Sequence, residues 1–320
     1  MPKDQTDESK ATIYDVADHA GVAISTVSRV LNDSDDVADA TRERVADAIQ
    51  ELQFRPNRTA KSLAQHSTRT ISVALPTFTT PFHNELLKGV RDRLDDEDVD
   101  LLLCDLEWEA PKRTLRHFLE GGAMDGLLLV GVPMDEEIAD ELRMLGVPVI
   151  LIGARAEGFD SFYWEDESGA KLGVEHLIEQ GYRKIGMITT PHANRIRNER
   201  IAGYRQALEE AGIEFNPDLV AHGHTSKHDG FSEESGYEAM QDLISIDQTV
   251  VPDDFAFVGY DDIKVSRFIG LTSVAQNMYG VGNETTDLLL SRLNKSGPEQ
   301  HVTRLVEPQL NVRKSSTSDR

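Results

Sequence analysis

The stretch AGVAISTVSRVLN, at residues 20–32, carries the side chains with the clearest chemical purpose. It places small hydroxyl groups and one arginine among valines and a leucine, beside a glycine. Hydroxyl side chains let a helix lie close to DNA bases and phosphates, and an arginine can donate two hydrogen bonds to guanine O6 and N7. The pattern favours a DNA-reading surface, and a three-helix core with an ordinary polar face is the alternative.

Three short helices are predicted to position these side chains. Two short helices joined by a turn that contains glycine, with a third packed across them, form a helix-turn-helix. The second helix of such a motif enters the major groove of DNA. The first helix is predicted to begin after the N-cap Thr12, with Asp15 completing a capping box, and to end at Gly21. The second is predicted over residues 24–31, and the third from Asp39 or Thr41 towards Pro56.

The pattern changes beyond residue 70. Near-continuous apolar runs there alternate with amphipathic helical stretches, which is typical of strands buried on both faces of a parallel sheet. The runs are residues 71–76, 99–104, 125–131, 147–153 and 184–190, followed by LVAHG and FAFVGY, and the helical stretches are 84–95, 111–120, 136–145, 168–180 and 199–211. The predicted fold class is therefore a small all-α head followed by an α/β domain with parallel sheets.

The composition excludes several classes of protein. The 320 residues suffice for two or three compact units, and the lone Cys104 cannot form an intramolecular disulfide. The sequence has no apolar run long enough for a membrane span and no apolar signal core near its N-terminus, so we expect a cytoplasmic protein. It has no HExxH, GxSxG or P-loop motif, so neither an enzyme nor a cofactor is expected. The histidines of HGHTSKHD are interpreted as a solvated loop rather than a metal site.

The chain is strongly acidic, with a formal net charge of −23. Its 30 Asp and 26 Glu against 11 Lys and 22 Arg fit a protein adapted to concentrated salt, and an ordinary acidic protein is the alternative. Residues 1–60 hold 7 basic against 12 acidic side chains, a net charge of −5. Counterion release therefore cannot dominate DNA binding, and we expect a shallow dependence of affinity on salt.

The N-terminal segment TIYDVADHAGVAISTVSRVLN, followed by VADATRERVADAIQELQFRPNRTAKSL, resembles the LacI/GalR family of bacterial repressors. The resemblance implies a homodimer that binds near-palindromic double-stranded operator DNA. It implies base reading by Ile24, Ser25 and Arg29, and phosphate contacts by Tyr14, Thr26, Ser28 and Asn32, with Thr12 beside them. It also implies a hinge helix carrying Asn57, Lys61 and Leu63, in which Leu63 is wedged into the minor groove. A linker role for Leu63 is the alternative.

The remainder resembles the periplasmic sugar-binding fold, which has two lobes, three chain crossings and a ligand in the cleft. The resemblance implies a small-molecule effector, such as a sugar, held by Thr80, Phe82, Glu165 and Arg200. About 25 residues present in relatives are absent between DLISIDQ and TVVPDDFAF, which predicts a C-terminal lobe lacking one βα unit. A regulator without small-molecule response is therefore an alternative, and a solute-binding protein is a weaker one.

These expectations divide the chain into a series of segments. They are a disordered tail at 1–10, a helix-turn-helix at 11–56, a hinge helix and linker at 57–67, and an effector-binding and dimerisation domain at 68–320, with an N-lobe at 68–163 and 277–297 and a C-lobe at 164–276 and 298–314.

Overall fold

The computed structural model describes residues 11–32, 34–54, 68–106, 110–121, 124–191, 194–224, 232–247 and 255–317. The chain forms two compact units, one ending at Thr68 and the other beginning at Arg69. The predicted tail at 1–10 and the predicted hinge segment lie outside the described residues.

The first unit, here called the head, contains three helices. They are α1 (Ile13–Ala20), α2 (Ile24–Leu31) and α3 (Asp39–Glu51). The predicted capping box is present, because the Thr12 hydroxyl accepts from the Asp15 N–H while the Asp15 carboxylate accepts from the Thr12 N–H at 2.7 Å. Gly21 ends α1 in the left-handed conformation, at φ 64°, which favours glycine. Val16, Val27 and Val45, one from each helix, are fully buried in the shared core.

The N-lobe of the second unit is built on a six-stranded parallel sheet in the order β10-β5-β4-β3-β1-β2. Buried aliphatic side chains cover both faces of this sheet, so its central strands read as uninterrupted apolar runs. The elements are β1 (Thr70–Leu75), α4 (Pro81–Leu94), β2 (Asp100–Asp105), α5 (Pro111–Glu120), β3 (Gly126–Val130), α6 (Glu136–Met144), β4 (Val149–Ile152), β5 (Asp160–Tyr163), α11 (Met278–Leu293) and β10 (Thr303–Leu305).

The C-lobe has its strands in two separate sheets. Strand β6 pairs with β7, and a second sheet has the order β11-β9-β8. The elements are α7 (Asp166–Glu179), β6 (Met187–Thr189), α8 (Arg195–Glu210), β7 (Val220–His222), α9 (Glu233–Asp247), β8 (Val258–Tyr260), α10 (Lys264–Ile269), β9 (Thr272–Ala275) and β11 (Gln309–Asn311).

The described strands of the two lobes repeat part of one pattern. In the N-lobe, β3 lies between β1 and β4 and bonds to both. Within the described part of the C-lobe, no strand bridges β6 and β8, although β8 pairs with β9 as β4 pairs with β5. The predicted loss of a βα unit falls at residues 248–254, which lie outside the described residues, so it stays a prediction.

The chain crosses between the lobes three times, after β5, β9 and β10, as the family resemblance implies. The prediction that the C-lobe resumes at residue 298 is wrong, because β10 pairs with β5 of the N-lobe and the third crossing follows it. Among the residues with described coordinates, no helix is long and apolar enough to cross a membrane.

Candidate DNA-binding surface and inter-lobe site

Helix α2 turns one face towards the core and leaves its polar face open. Val27 and Val30 are buried, whereas Ile24, Ser25 and Arg29 are exposed. Because the helix repeats every 3.6 residues, burial of the valines forces the three predicted base-reading residues to the outside. The other predicted contacts in the head are Thr12, Tyr14 and Asn32, which are exposed, and Thr26 and Ser28, which are half-buried.

Helix α2 begins without a side-chain cap. Ala23 occupies the N-cap position and makes no side-chain capping hydrogen bond. The first N–H groups of α2 therefore have no side-chain cap, and the positive end of the helix favours an anion such as a phosphate. This helix end borders a shallow, open surface depression, the head hollow, which is lined by Tyr14, Ala17, Asp18, Gly21, Val22, Ala23 and Ile24.

Three predicted DNA contacts fall in the hinge segment. Asn57, Lys61 and Leu63 lie outside the described residues, so their roles stay predictions.

Arg200, the predicted cleft arginine, lies in a buried ion pair in the C-lobe. Its Nε donates to Asp166 Oδ1 at 2.9 Å, with 18% and 6% of the two side chains exposed. Its guanidinium stacks on the ring of Tyr260 at 3.7 Å from the ring centre. Burial lowers the pKa of Arg200, but the negative charges of Asp166 and Asp261 outweigh it and raise the pKa. The guanidinium is therefore fixed in position and fully charged.

A strained turn holds Asp261 close to this arginine. Asp261 and Asp262 both have positive φ, 77° and 45°, which costs non-glycine residues free energy. Arg313 stabilises the turn because its two guanidinium nitrogens donate to the two Asp262 oxygens at 2.5 and 2.9 Å. The Asn311 amide also donates to Asp262 at 2.7 Å. Burial raises the pKa of Asp261, and the positive charge of Arg200 opposes that rise.

A cavity of about 640 Å³ lies between the lobes, beside the crossing segments. Phe82 from the N-lobe and Asp261 from the C-lobe both line it, together with Asn277 and Met278 of the second crossing. Of its charged lining residues, Glu85, Asp261, Asp262, Glu284 and Glu307 are acidic and Arg304 is basic. A ligand in this cavity therefore meets carboxylate and amide groups rather than a cluster of cations.

The structure does not bring the four predicted effector residues together. Phe82 lines the cavity, and its ring centre lies 6.4 Å from that of Trp164. Arg200 does not line the cavity, but its charge acts on Asp261, which does. Thr80 instead caps α4, with its hydroxyl 2.7 Å from Nδ1 of His83. Glu165 is exposed at the start of α7.

Sequence reasoning missed the acidic partners of Arg200. Asp166 stands next to the predicted Glu165 in WEDESGA, and Asp261 follows the strand in VGYDDI. The sequence predicts a site residue at Glu165 and a strand at FAFVGY, beside these two residues, but which carboxylate faces the arginine depends on the packing of α7 against α8.

Comparisons with known proteins agree with both parts of the molecule. A model for bacterial regulatory proteins of the lacI family matches residues 12–57, and one for a periplasmic binding protein-like domain matches residues 174–316. The HTH-type transcriptional repressor PurR of Aliivibrio salmonicida is 30% identical over 331 residues, which cover 95% of this chain and 98% of that protein. The HTH-type transcriptional regulator RegA of Clostridium saccharobutylicum is 31% identical over 315 residues, covering 89% and 93%.

Solved structures extend the likeness to the whole fold. A lac repressor dimer bound to operator and the anti-inducer ONPF superposes with a TM-score of 0.76 at 26% identity, covering 96% of this chain and 99% of that one. The transcriptional regulator CelR in complex with cellobiose gives a TM-score of 0.62 at 30% identity, covering 95% and 99%.

Proposed function

Because this chain belongs to the LacI family of bacterial transcriptional regulators, we propose that it is a repressor that binds a near-palindromic operator as a homodimer. We further propose that a small molecule in the inter-lobe cavity alters its affinity for DNA. The family consists of DNA-binding regulators, and the chain is not an enzyme.

The exposed face of α2 carries the proposal for DNA recognition. Arg29 donates to guanine O6 and N7, while Ile24 and Ser25 contact neighbouring bases. Tyr14, Thr26, Ser28, Asn32 and Thr12 contact the backbone, and Asn57, Lys61 and Leu63 act in the hinge. Two-fold symmetry places two copies of α2 in major grooves about one helical turn apart, so the operator is a near-palindrome.

Exposed apolar side chains of the second unit support the dimer. Leu102 and Leu103 lie on β2, an edge strand of the N-lobe sheet, and Phe268 and Ile269 lie on α10 of the C-lobe. Large apolar groups that are left in water on an edge strand or a short helix are typical of a surface covered by a subunit.

The lining of the cavity supports a neutral, hydroxyl-bearing effector such as a sugar. Carboxylate and amide oxygens accept hydrogen bonds from hydroxyl groups. Lys88, Arg304 and Arg313 are already ion-paired with Glu85, Glu284 and Asp262, so they are poorly placed to bind an anion. The relative CelR was solved with cellobiose, which is a ligand of this kind. The broken C-lobe sheet favours a second candidate, a regulator that binds its operator without responding to small molecules.

Operator selection tests the DNA-binding proposal. Wild-type protein should enrich a symmetric site from a random duplex library, and R29A should weaken binding to that site by about 1–3 kcal/mol and relax the preference at one base pair. Arg44, exposed on α3, gives the matched control, because R44A removes the same charge away from α2. If R29A and R44A lost affinity equally and without any change in base preference, Arg29 would not read a base.

Operator affinity measured with and without ligands tests the effector proposal. The panel contains cellobiose, ribose, hypoxanthine and glucose 6-phosphate. A change of fivefold or more with a neutral sugar, abolished by D261N, supports the proposal. A response to none of the four, in a protein that still selects its operator, favours the regulator without small-molecule response.

A further inference from the structure

One charged side chain stands out in the head hollow. Among the seven lining residues, Asp18 alone carries a full charge at neutral pH. It lies four residues after Tyr14 on α1, so the two side chains project from the same face of that helix. Tyr14 is a proposed phosphate contact, and Ile24, on the opposite rim of the hollow, is a proposed base contact.

Asp15 and Glu51, two other acidic residues near α1, have hydrogen-bonding partners, whereas Asp18 has none within the described head. Asp15 is held in the capping box, where its hydrogen bonds to the Thr12 hydroxyl and backbone lower its pKa. Glu51 lies 2.7 Å from Nε2 of His19. Asp18 is exposed, and its carboxylate makes no hydrogen bond or ion pair within the described head.

Asp18 lines the head hollow together with Ala23 and Ile24, so a phosphate attracted to the uncapped start of α2 also experiences the charge of Asp18. The attraction of the helix end and the repulsion of the carboxylate act on the same phosphate, in opposite directions. Salt weakens the repulsion because the Debye length falls from about 10 Å at 0.1 M to about 3 Å at 1 M. Hydroxyl and base-edge hydrogen bonds depend much less on ionic strength, so they remain when the repulsion is screened.

We infer that Asp18 sets the salt dependence of operator binding, weakening the complex at low ionic strength and ceasing to oppose it in concentrated salt. This inference rests on the proposed DNA-binding function. It goes beyond the overall acidity of the chain, because it assigns the effect to one residue at the protein–DNA boundary.

The test compares D18N with D47N across KCl concentrations from 0.05 to about 2 M. Asp47 is exposed on α3 and does not line the hollow, so D47N makes the same change in net charge elsewhere in the head. D18N should bind the selected operator about threefold more tightly for each half-site at the lowest salt, the value for two unit charges at an assumed separation of about 7 Å in water. The two proteins should converge near 2 M, about 1.6 decades of salt away, so the log–log salt slope of D18N should be steeper than that of the wild type by about 0.3 for each half-site.

A third variant separates charge from shape. D18E keeps the negative charge and should retain the wild-type slope, while D47N should change it much less than D18N does. Equal slopes for D18N and D47N, or a D18E slope matching that of D18N, would overturn the inference and leave the proposed function intact. If the wild-type protein selected no operator at any salt, the proposed function would fail, and this inference with it.

Discussion

A buried guanidinium needs a nearby negative charge, and Asp166 provides it for Arg200. The pair is largely shielded from water, and Tyr260 closes one face of the guanidinium. An ion pair in this setting is costly to break, because removal of either partner leaves the other charge buried. Asp166 therefore acts as a positioning residue that keeps Arg200 behind Asp261 at the cavity wall.

Replacement of Asp166 should be far more damaging than replacement of its neighbour. D166N leaves Arg200 with a weaker acceptor, and we expect a loss of about 2–4 kcal/mol in the free energy of unfolding of the second unit. E165Q changes an exposed side chain and should alter that free energy by no more than about 0.5 kcal/mol. Urea unfolding followed by tryptophan fluorescence measures both. Equal losses for the two variants would show that Asp166 does not hold the arginine.

At this scale the sequence predicts residue types better than it predicts partners. The exposed residues of α2 follow from the helical period, and the structure places Ile24, Ser25 and Arg29 outside as predicted. The partner of Arg200 does not follow from a period, because consecutive helical residues point about 100° apart. A shift of one position, from Glu165 to Asp166, therefore separates an exposed carboxylate from a buried one.

The first turn of helix α4 contains a histidine whose titration should make the stability of the protein depend on pH. Thr80 and Pro81 begin the helix three residues before the predicted start, because the threonine caps it and proline suits its first turn. This places His83 near the positive end of α4, half-buried, where burial lowers its pKa to about 4. Protonation of His83 is thus disfavoured in the folded protein.

Stability should fall as the pH drops through the interval set by His83. The unfolded chain binds a proton near pH 6.5, whereas the folded protein resists protonation until about pH 4. Because the unfolded state holds more protons between these values, the free energy of unfolding rises with pH across this range. Across this pH range the free energy of unfolding should change by about 2 kcal/mol, a value reduced to allow for the partial exposure of His83.

The H83Q variant isolates this contribution, because glutamine does not titrate. Unfolding curves at pH 4.5 and pH 7 should show a smaller difference for H83Q than for the wild type. H117Q is the matched control, because His117 is highly exposed on α5 and should leave the difference unchanged. An H83Q protein with the full wild-type pH dependence would contradict the assignment.

The order of elements was predictable, but the pairing of strands in the C-lobe was not. Apolar runs placed β1 to β4 within about two residues of their observed bounds, and β1, β3 and β4 are buried on both faces. No apolar run predicted β5 (Asp160–Tyr163). The division of the C-lobe strands into two sheets depends on hydrogen bonds between distant segments. Counting residues predicts the loss of a βα unit, and the described strands add only that β6 and β8 lie in separate sheets.

For the whole molecule, charge is the dominant physical fact. A net charge of −23 produces strong self-repulsion in dilute buffer, which weakens the compact state. Several arginines lie in acidic networks, as Arg116 does between Glu137 and Glu141, and as Arg93 does between Glu97 and Asp287. These local pairs offset only part of the acidic excess.

Folding stability should therefore rise with salt. The thermal midpoint of the wild-type protein is expected to increase steadily from 0.05 to about 2 M KCl, because screening removes repulsion among the uncompensated carboxylates. Sucrose at matched osmolality provides the control, since it favours the compact state by exclusion from the surface without screening charge. A larger rise in KCl than in sucrose identifies screening as the cause. Equal thermal midpoints at low and high KCl would mean that the protein tolerates its acidic surface without salt. The hypothesis of adaptation to concentrated salt would then be wrong, even if the affinity for the operator depended only weakly on salt.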